Sequence, residues 1–204
     1  MGASKKSRAL LPFCVTQCGI NLSPDKYTWD EDTRTFTSEE NFLVIDVQQG
    51  IDNITFNTNA YCRFNTWSNF NFNTGACCTF DTGNNCTFNT LNNCYFRTGL
   101  NCVFDTGSDC IFNSLSNCDF HADDNCIFKT SSGCIFRTGR NCTFNTGGNC
   151  TFETRGDCVL IRRDIFEVQT LYPEVKMILN DSKVAGWMNN EEIERYISAM
   201  KLPV

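Results

Sequence analysis

Histidine is almost missing from this chain: His121 is the only one among 204 residues. Zinc sites are built from Cys pairs two to four residues apart, often completed by histidine. The fifteen cysteines therefore do not read as zinc ligands, and no cofactor is expected. No run of eighteen apolar residues occurs, so no membrane-spanning helix is expected. The first residues, MGASKKSRALLPF, are too basic and their apolar run too short for a secretory signal. Synthesis in a reducing cytosol is the corresponding expectation. Gly2 could invite myristoylation, but Lys6 stands where that pattern wants Ser or Thr. An excess of basic residues is also lacking. The formal charge is −6 and is spread evenly, which gives neither a nucleic-acid footprint nor an acidic rod that could mimic DNA.

What the chain has instead is a period. From Ile54 to Ile161 a cysteine recurs every eight positions: Cys62, then Cys78, Cys86, Cys94, Cys102, Cys110, Cys118, Cys126, Cys134, Cys142, Cys150 and Cys158, with Phe70 taking one place in the series. Two positions after each comes phenylalanine, unbroken from Phe56 to Phe152, with Leu160 in the last slot. Two further on comes threonine, replaced by Ser114 and Ala122 in two octads. The unit C-x-F-x-T-G-x-N repeats about thirteen times without insertion, the mark of a repeat architecture.

Steps of two put Cys, Phe and Thr on one side of a strand. The interleaved slots are polar, as at Asn65, Asp81, Arg97 and Lys129. Gly, Ser, Asn and Asp fill the last three positions and accept turn conformations. One octad cannot bury its own Cys–Phe face, so coils must stack in parallel. The reading is an all-β fold, a parallel β-solenoid. Two octads per coil are favoured over three, because a Phe in nearly every octad fills a thin two-sided core. Six to seven coils at ~4.8 Å give a rod of roughly 30 Å.

A buried thiol behaves as a small apolar residue, and Ile54 and Phe70 occupy the same slot. Reduced core thiols are therefore expected ahead of a disulfide framework. Stacked positions at ~4.8 Å also exceed the Cβ separation of a disulfide.

The flanks do not repeat. Residues 1–53 read as an N-terminal capping segment, with strand-like runs at Thr33–Thr37 and Phe42–Val47. An uncapped solenoid end would be an exposed sheet edge. Residues 162–204 read as a C-terminal capping or docking segment, with strand-like runs at Ile165–Thr170 and Val175–Leu179. A short helix is expected near 190–201. Glu191 and Glu192 suit its first turn, and Ile193, Tyr196, Ile197 and Met200 share one apolar face.

Strings that resemble catalytic motifs dissolve on inspection. Asp81-Thr82-Gly83 and Asp105-Thr106-Gly107 match an aspartic-protease loop, but each is the repeat's variable slot followed by its fixed Thr-Gly. Asp119, His121, Asp123 and Asp124 form the densest polar cluster, and an acid–base site there would need a cleft. Turns of about three residues leave a smooth rod, so no catalytic residues are expected. No regular threonine array occupies the outward slots, which argues against ice binding. Two octads per coil would stack Tyr95, Ile111 and Ile127 on one face. The opposite face would interrupt Val103 and Ile135 with Asp119. An apolar stripe on a polar rod suggests a contact surface.

The string Cys142-Thr143-Phe144-Asn145-Thr146-Gly147-Gly148-Asn149-Cys150-Thr151-Phe152 resembles the Cys/Phe octapeptide repeats in proteins of large nucleocytoplasmic DNA viruses, the mimivirus- and chlorovirus-like group. The resemblance covers residues 54–161. It implies a non-enzymatic structural component of the virion, a minor capsid or cement protein made in the host cytoplasm. Its partners would be other capsid proteins, with self-association as a further expectation. A second reading, from the residues alone, is a module that binds a glycan or host protein on a flat sheet face.

Overall fold

The computed structural model describes residues 11–163, 165–171, 176–180 and 187–189. It is a parallel β-solenoid of about eight turns, built as two facing sheets of eleven strands each. Every strand of the repeat pairs in parallel with the strand sixteen residues away. Phe88 is level with Phe72 and Phe104 in one sheet, and Phe96 with Phe80 and Phe112 in the other. One coil is therefore two octads. The only helical turn among the described residues is the 3-10 segment Pro24–Lys26.

The inward triplet does what its period requires. The repeat phenylalanines and the ladder cysteines are almost fully buried, as at Phe96, Phe112, Cys110 and Cys134. Within a sheet the rings lie flat on one another: Phe96 and Phe112 have centroids 4.8 Å apart and planes 2° from parallel. Across the core they meet edge to face, Phe96 and Phe104 at 5.3 Å and 80°. Both geometries suit the ring quadrupole. Each ring so buried contributes about 1.5–3 kcal/mol by removal from water.

The corners explain the asparagines. From Cys62 to Cys150 the residue before each ladder cysteine has a left-handed backbone, with φ of 56° at Asn85, 61° at Asn93 and 56° at Asn101. Asn and Asp tolerate that region and most residues do not. The column is stitched by its own side chains. Asn85 Nδ2 donates to Asn69 Oδ1 at 3.1 Å, and Asn101 Nδ2 donates to Asn85 Oδ1 at 3.3 Å. At the other turn position, a Cβ on Gly75 would lie 2.8 Å from the Ala60 backbone nitrogen one coil below. That contact is too close for a side chain, so glycine recurs there.

Stacking begins before the repeat does. Strand Thr35–Thr37 pairs in parallel with Thr55–Asn57, and Leu43–Asp46 with Arg63–Asn65, placing Phe36 on Phe56 and Ile45 on Phe64. This extra coil lengthens the rod beyond the six to seven turns expected. Antiparallel strands then cover both ends. Cys14–Gln17 lies along Leu43–Asp46, and Thr28–Asp30 along Thr35–Thr37. At the far end Glu167–Leu171 pairs with Cys158–Arg162, and Met177–Leu179 with Thr151–Thr154. The expected helix at 190–201 lies outside the described residues.

Candidate functional site

Three features carry chemistry or contact: an outward column on each sheet, a groove at one corner, and the two columns of core thiols.

On the first sheet, Thr79, Tyr95, Ile111, Ile127 and Thr143 are level neighbours in successive coils. Tyr95, Ile111 and Ile127 are 41%, 39% and 41% exposed, so the stripe expected from the sequence forms one contiguous apolar surface. Val159 continues the column beyond Thr143 and is also exposed. The neighbouring outward column on this face is polar. Arg97 makes a bidentate pair with Asp81, which holds the Asp81 carboxyl below its usual range, chiefly by that hydrogen bond.

On the second sheet, Asp119 does stand between Val103 and Ile135. The cluster Asp119, His121, Asp123 and Asp124 separates into different tasks. Asp119 accepts from Arg137 Nη1 at 2.9 Å. Asp124 Oδ1 accepts the Arg140 backbone N–H at 2.7 Å, tying one coil to the next. His121 is level with Asp105 and Arg137. It lines a shallow depression of about 400 Å³ that also includes Asp123, Glu153 and Arg155. Glu153 is bridged by Lys176 at 3.0 Å. The arrangement is a lattice of exposed ion pairs, each worth ~0–1 kcal/mol.

The groove was not anticipated. It has a volume of about 760 Å³ and runs beside Phe13, Asp46, Asn65, Thr66, Trp67 and Asp81. Trp67 fills the slot where glycine recurs in other octads, and is 49% exposed. That substitution was the visible signal. The missing part was the N-terminal segment: Leu11 to Cys14 forms one wall, and no period marks it. Asn65 donates to Asp46, its level partner on the adjacent strand, along the lining. The hydroxyls of Thr66 and Thr82, both on its lining, are buried and have no hydrogen-bond partner.

All fifteen cysteines are free thiols, and the twelve of the ladder are buried. They form two columns, one of seven from Cys62 to Cys158 and one of five from Cys86 to Cys150, with Phe70 and Ile54 continuing the second. From Cys62 to Cys150 each ladder thiol is held between two carbonyls. Cys110 Sγ lies 3.5 Å from Ser108 O and 3.7 Å from Leu91 O. The hydrogen bond that each gives to the thiol a coil away, then burial, pushes Cys86 and Cys150 well above the ordinary thiol range. Among the described residues no group of three or more His, Cys, Asp or Glu is arranged to hold a metal ion.

The interface candidates Ile193, Tyr196, Ile197 and Met200 lie outside the described residues. Among those described, no helix is long and apolar enough to cross a membrane. No family model, curated protein or solved structure matches the chain.

Proposed function

We propose that this chain is a structural rod that joins protein neighbours through its sheet face. The observation that carries this reading is the Tyr95–Ile111–Ile127 column, three large apolar side chains each about two-fifths exposed in adjacent coils. Beneath them the rod is stiff: the sixteen-residue register runs through the whole repeat without a slip. Burying two or three such side chains against a neighbour contributes up to about 1.5–3 kcal/mol each, enough to add up in an array of repeated contacts.

In this reading the rod is a minor capsid or cement protein of a large double-stranded DNA virus. Support for the viral setting is the resemblance of its octads to the Cys/Phe repeats of that group. A mass-spectrometric inventory of purified particles from the source of the chain tests it. The rod is expected in a fixed ratio to the major shell protein. Its absence from the particles overturns the virion reading and leaves the contact surface to be explained otherwise.

A second reading, a glycan-binding module, is favoured by the groove at Trp67. A half-exposed indole beside Asn65, Asp46 and Asp81 offers a flat apolar surface and polar partners to a sugar ring. Binding across a panel of immobilised oligosaccharides, lost on Trp67→Ala, would support it. No binding at millimolar sugar would remove it.

A further inference from the structure

The repeat could use Ala or Val in the inward slot two residues before its phenylalanine, yet twelve ladder positions are cysteine. The solenoid sets those thiols one above another at the coil repeat. That repeat is visible in the adjacent phenylalanine slot, where ring centroids stand 4.7 Å apart at Phe112–Phe128 and 4.9 Å apart at Phe80–Phe96. A thiolate bond to four-coordinate zinc is ~2.3 Å, and a two-coordinate ion sits somewhat nearer its sulfurs. Two such bonds in a line span no more than ~4.6 Å, so the space between successive sulfurs admits one ion bound at 180°. Linear two-sulfur coordination is the preference of soft monovalent ions with a filled d shell.

We propose that the two cysteine columns are a binding site for a soft monovalent cation of the copper(I) class, each ion held in line between thiolates of adjacent coils. Thiolates select such ions over hard ones. Zinc is excluded by shape, since it wants four ligands in a tetrahedron and a column presents two. The balance is simple. Two S–H bonds break, two protons leave to solvent, two S–metal bonds form, and no electron is transferred. The product carries one negative charge, and backbone donors point at the sulfurs. The Cys62 N–H donates to Cys78 Sγ and the Cys142 N–H to Cys158 Sγ, both at 3.4 Å. An N–H donor to sulfur favours its ionised form. Paired without sharing, seven thiols hold three ions and five hold two, five in all.

Three cysteines lie outside the columns: Cys14 and Cys18 are exposed and Cys77 is half-buried. The test therefore starts from the reduced full-length chain carrying C14S, C18S and C77S. Copper(I), supplied as its acetonitrile complex without oxygen, is added to the folded protein and, separately, during refolding. Native mass spectrometry should count up to five ions per chain, and X-ray absorption should give two sulfur neighbours, nearer than the ~2.3 Å of four-coordinate zinc. Adding C102A and C134A leaves no adjacent pair in the five-thiol column, and should cut the count from five to three. No uptake in either arm overturns the proposal, as does a three- or four-coordinate cluster, or a count that ignores C102A/C134A. Should that last variant fail to fold, the count and geometry in the triple serine variant decide alone.

Discussion

Phe88 lies flat on Phe104, with ring centroids 4.8 Å apart and planes 6° from parallel. Both rings are almost fully buried, and both meet Phe96 edge-on from the opposite sheet. Each ring is thus held by rings above, below and across. Removing one leaves a cavity that stacked coils cannot close. Phe104→Ala is expected to cost about 3–5 kcal/mol, measured as a lower midpoint in denaturant unfolding followed by circular dichroism. A loss under 1 kcal/mol would mean that the core repacks freely.

Cys77 and Tyr61 occupy the corner position that is elsewhere Asn, Asp or Gly, and both have φ of 59°. A left-handed backbone costs a non-Gly residue roughly 1–2 kcal/mol, a penalty that Asn escapes in part through its short polar side chain. Cys77→Asn should therefore stabilise the rod by about 0.5–1 kcal/mol. The reverse change at an ordinary corner, Asn101→Val, should destabilise it by more, since it also removes the hydrogen bond to Asn85. Thermal midpoints of the two variants should move in opposite directions. A shift in the same direction would refute the corner argument.

How much of this was legible follows from where the period is kept. Phe56 to Phe152 is strictly periodic, so the inward face could be read from spacing, while the two-octad coil, and the Tyr95–Ile111–Ile127 column that depends on it, needed the bulk of the phenylalanines as well. Phe36 and Ile45 belong to the same stack, but their spacing to the next members is irregular. The residues between them include Phe42, an exposed left-handed position. A coil with longer corners leaves no signal in a search for eights. The groove at Trp67 was hidden for another reason. Its walls come from Leu11–Cys14 and from three successive coils, and only the paired register brings them together.

Two thiols of the ladder make stability sensitive to alkali, although their partners Cys102 and Cys134 are held below the usual thiol range. Cys86 and Cys150 are raised well above the usual thiol range, by the hydrogen bonds they give to Cys102 and Cys134 and then by burial. In the unfolded chain a thiol ionises at about pH 8.5. Below that pH both states hold the proton and the contribution is fully present. As pH rises above it, the unfolded chain releases protons that the fold retains, so stability falls. The slope is up to about 1.4 kcal/mol per pH unit for each such thiol. Relative to Cys86→Ala/Cys150→Ala, the wild-type denaturant midpoint should be constant from pH 6 to 8 and decline towards pH 10. A flat profile to pH 10 would show that these thiols ionise as easily folded as unfolded.

The apolar column gives the most direct test of the proposed role. Ile111 and Ile127 point outward from adjacent strands, while Phe112 and Phe128 beside them point inward and stack. Changing the first pair alters the surface and leaves the packed core untouched. Ile111→Asp with Ile127→Asp should therefore keep the β-rich circular dichroism spectrum, at a cost within the ~1 kcal/mol span of strand propensity. Two carboxylates placed against an apolar neighbour must be desolvated, which costs several kcal/mol per charge unless each is paired. Incorporation into assemblies, or self-association by sedimentation velocity, should fall at least tenfold relative to wild type. The polar change Asn113→Asp, in the next outward slot and level with Arg97 and Lys129, should have little effect on either. Equal loss from all three substitutions would point to charge alone. Undiminished assembly of the double variant would remove this column from the contact surface.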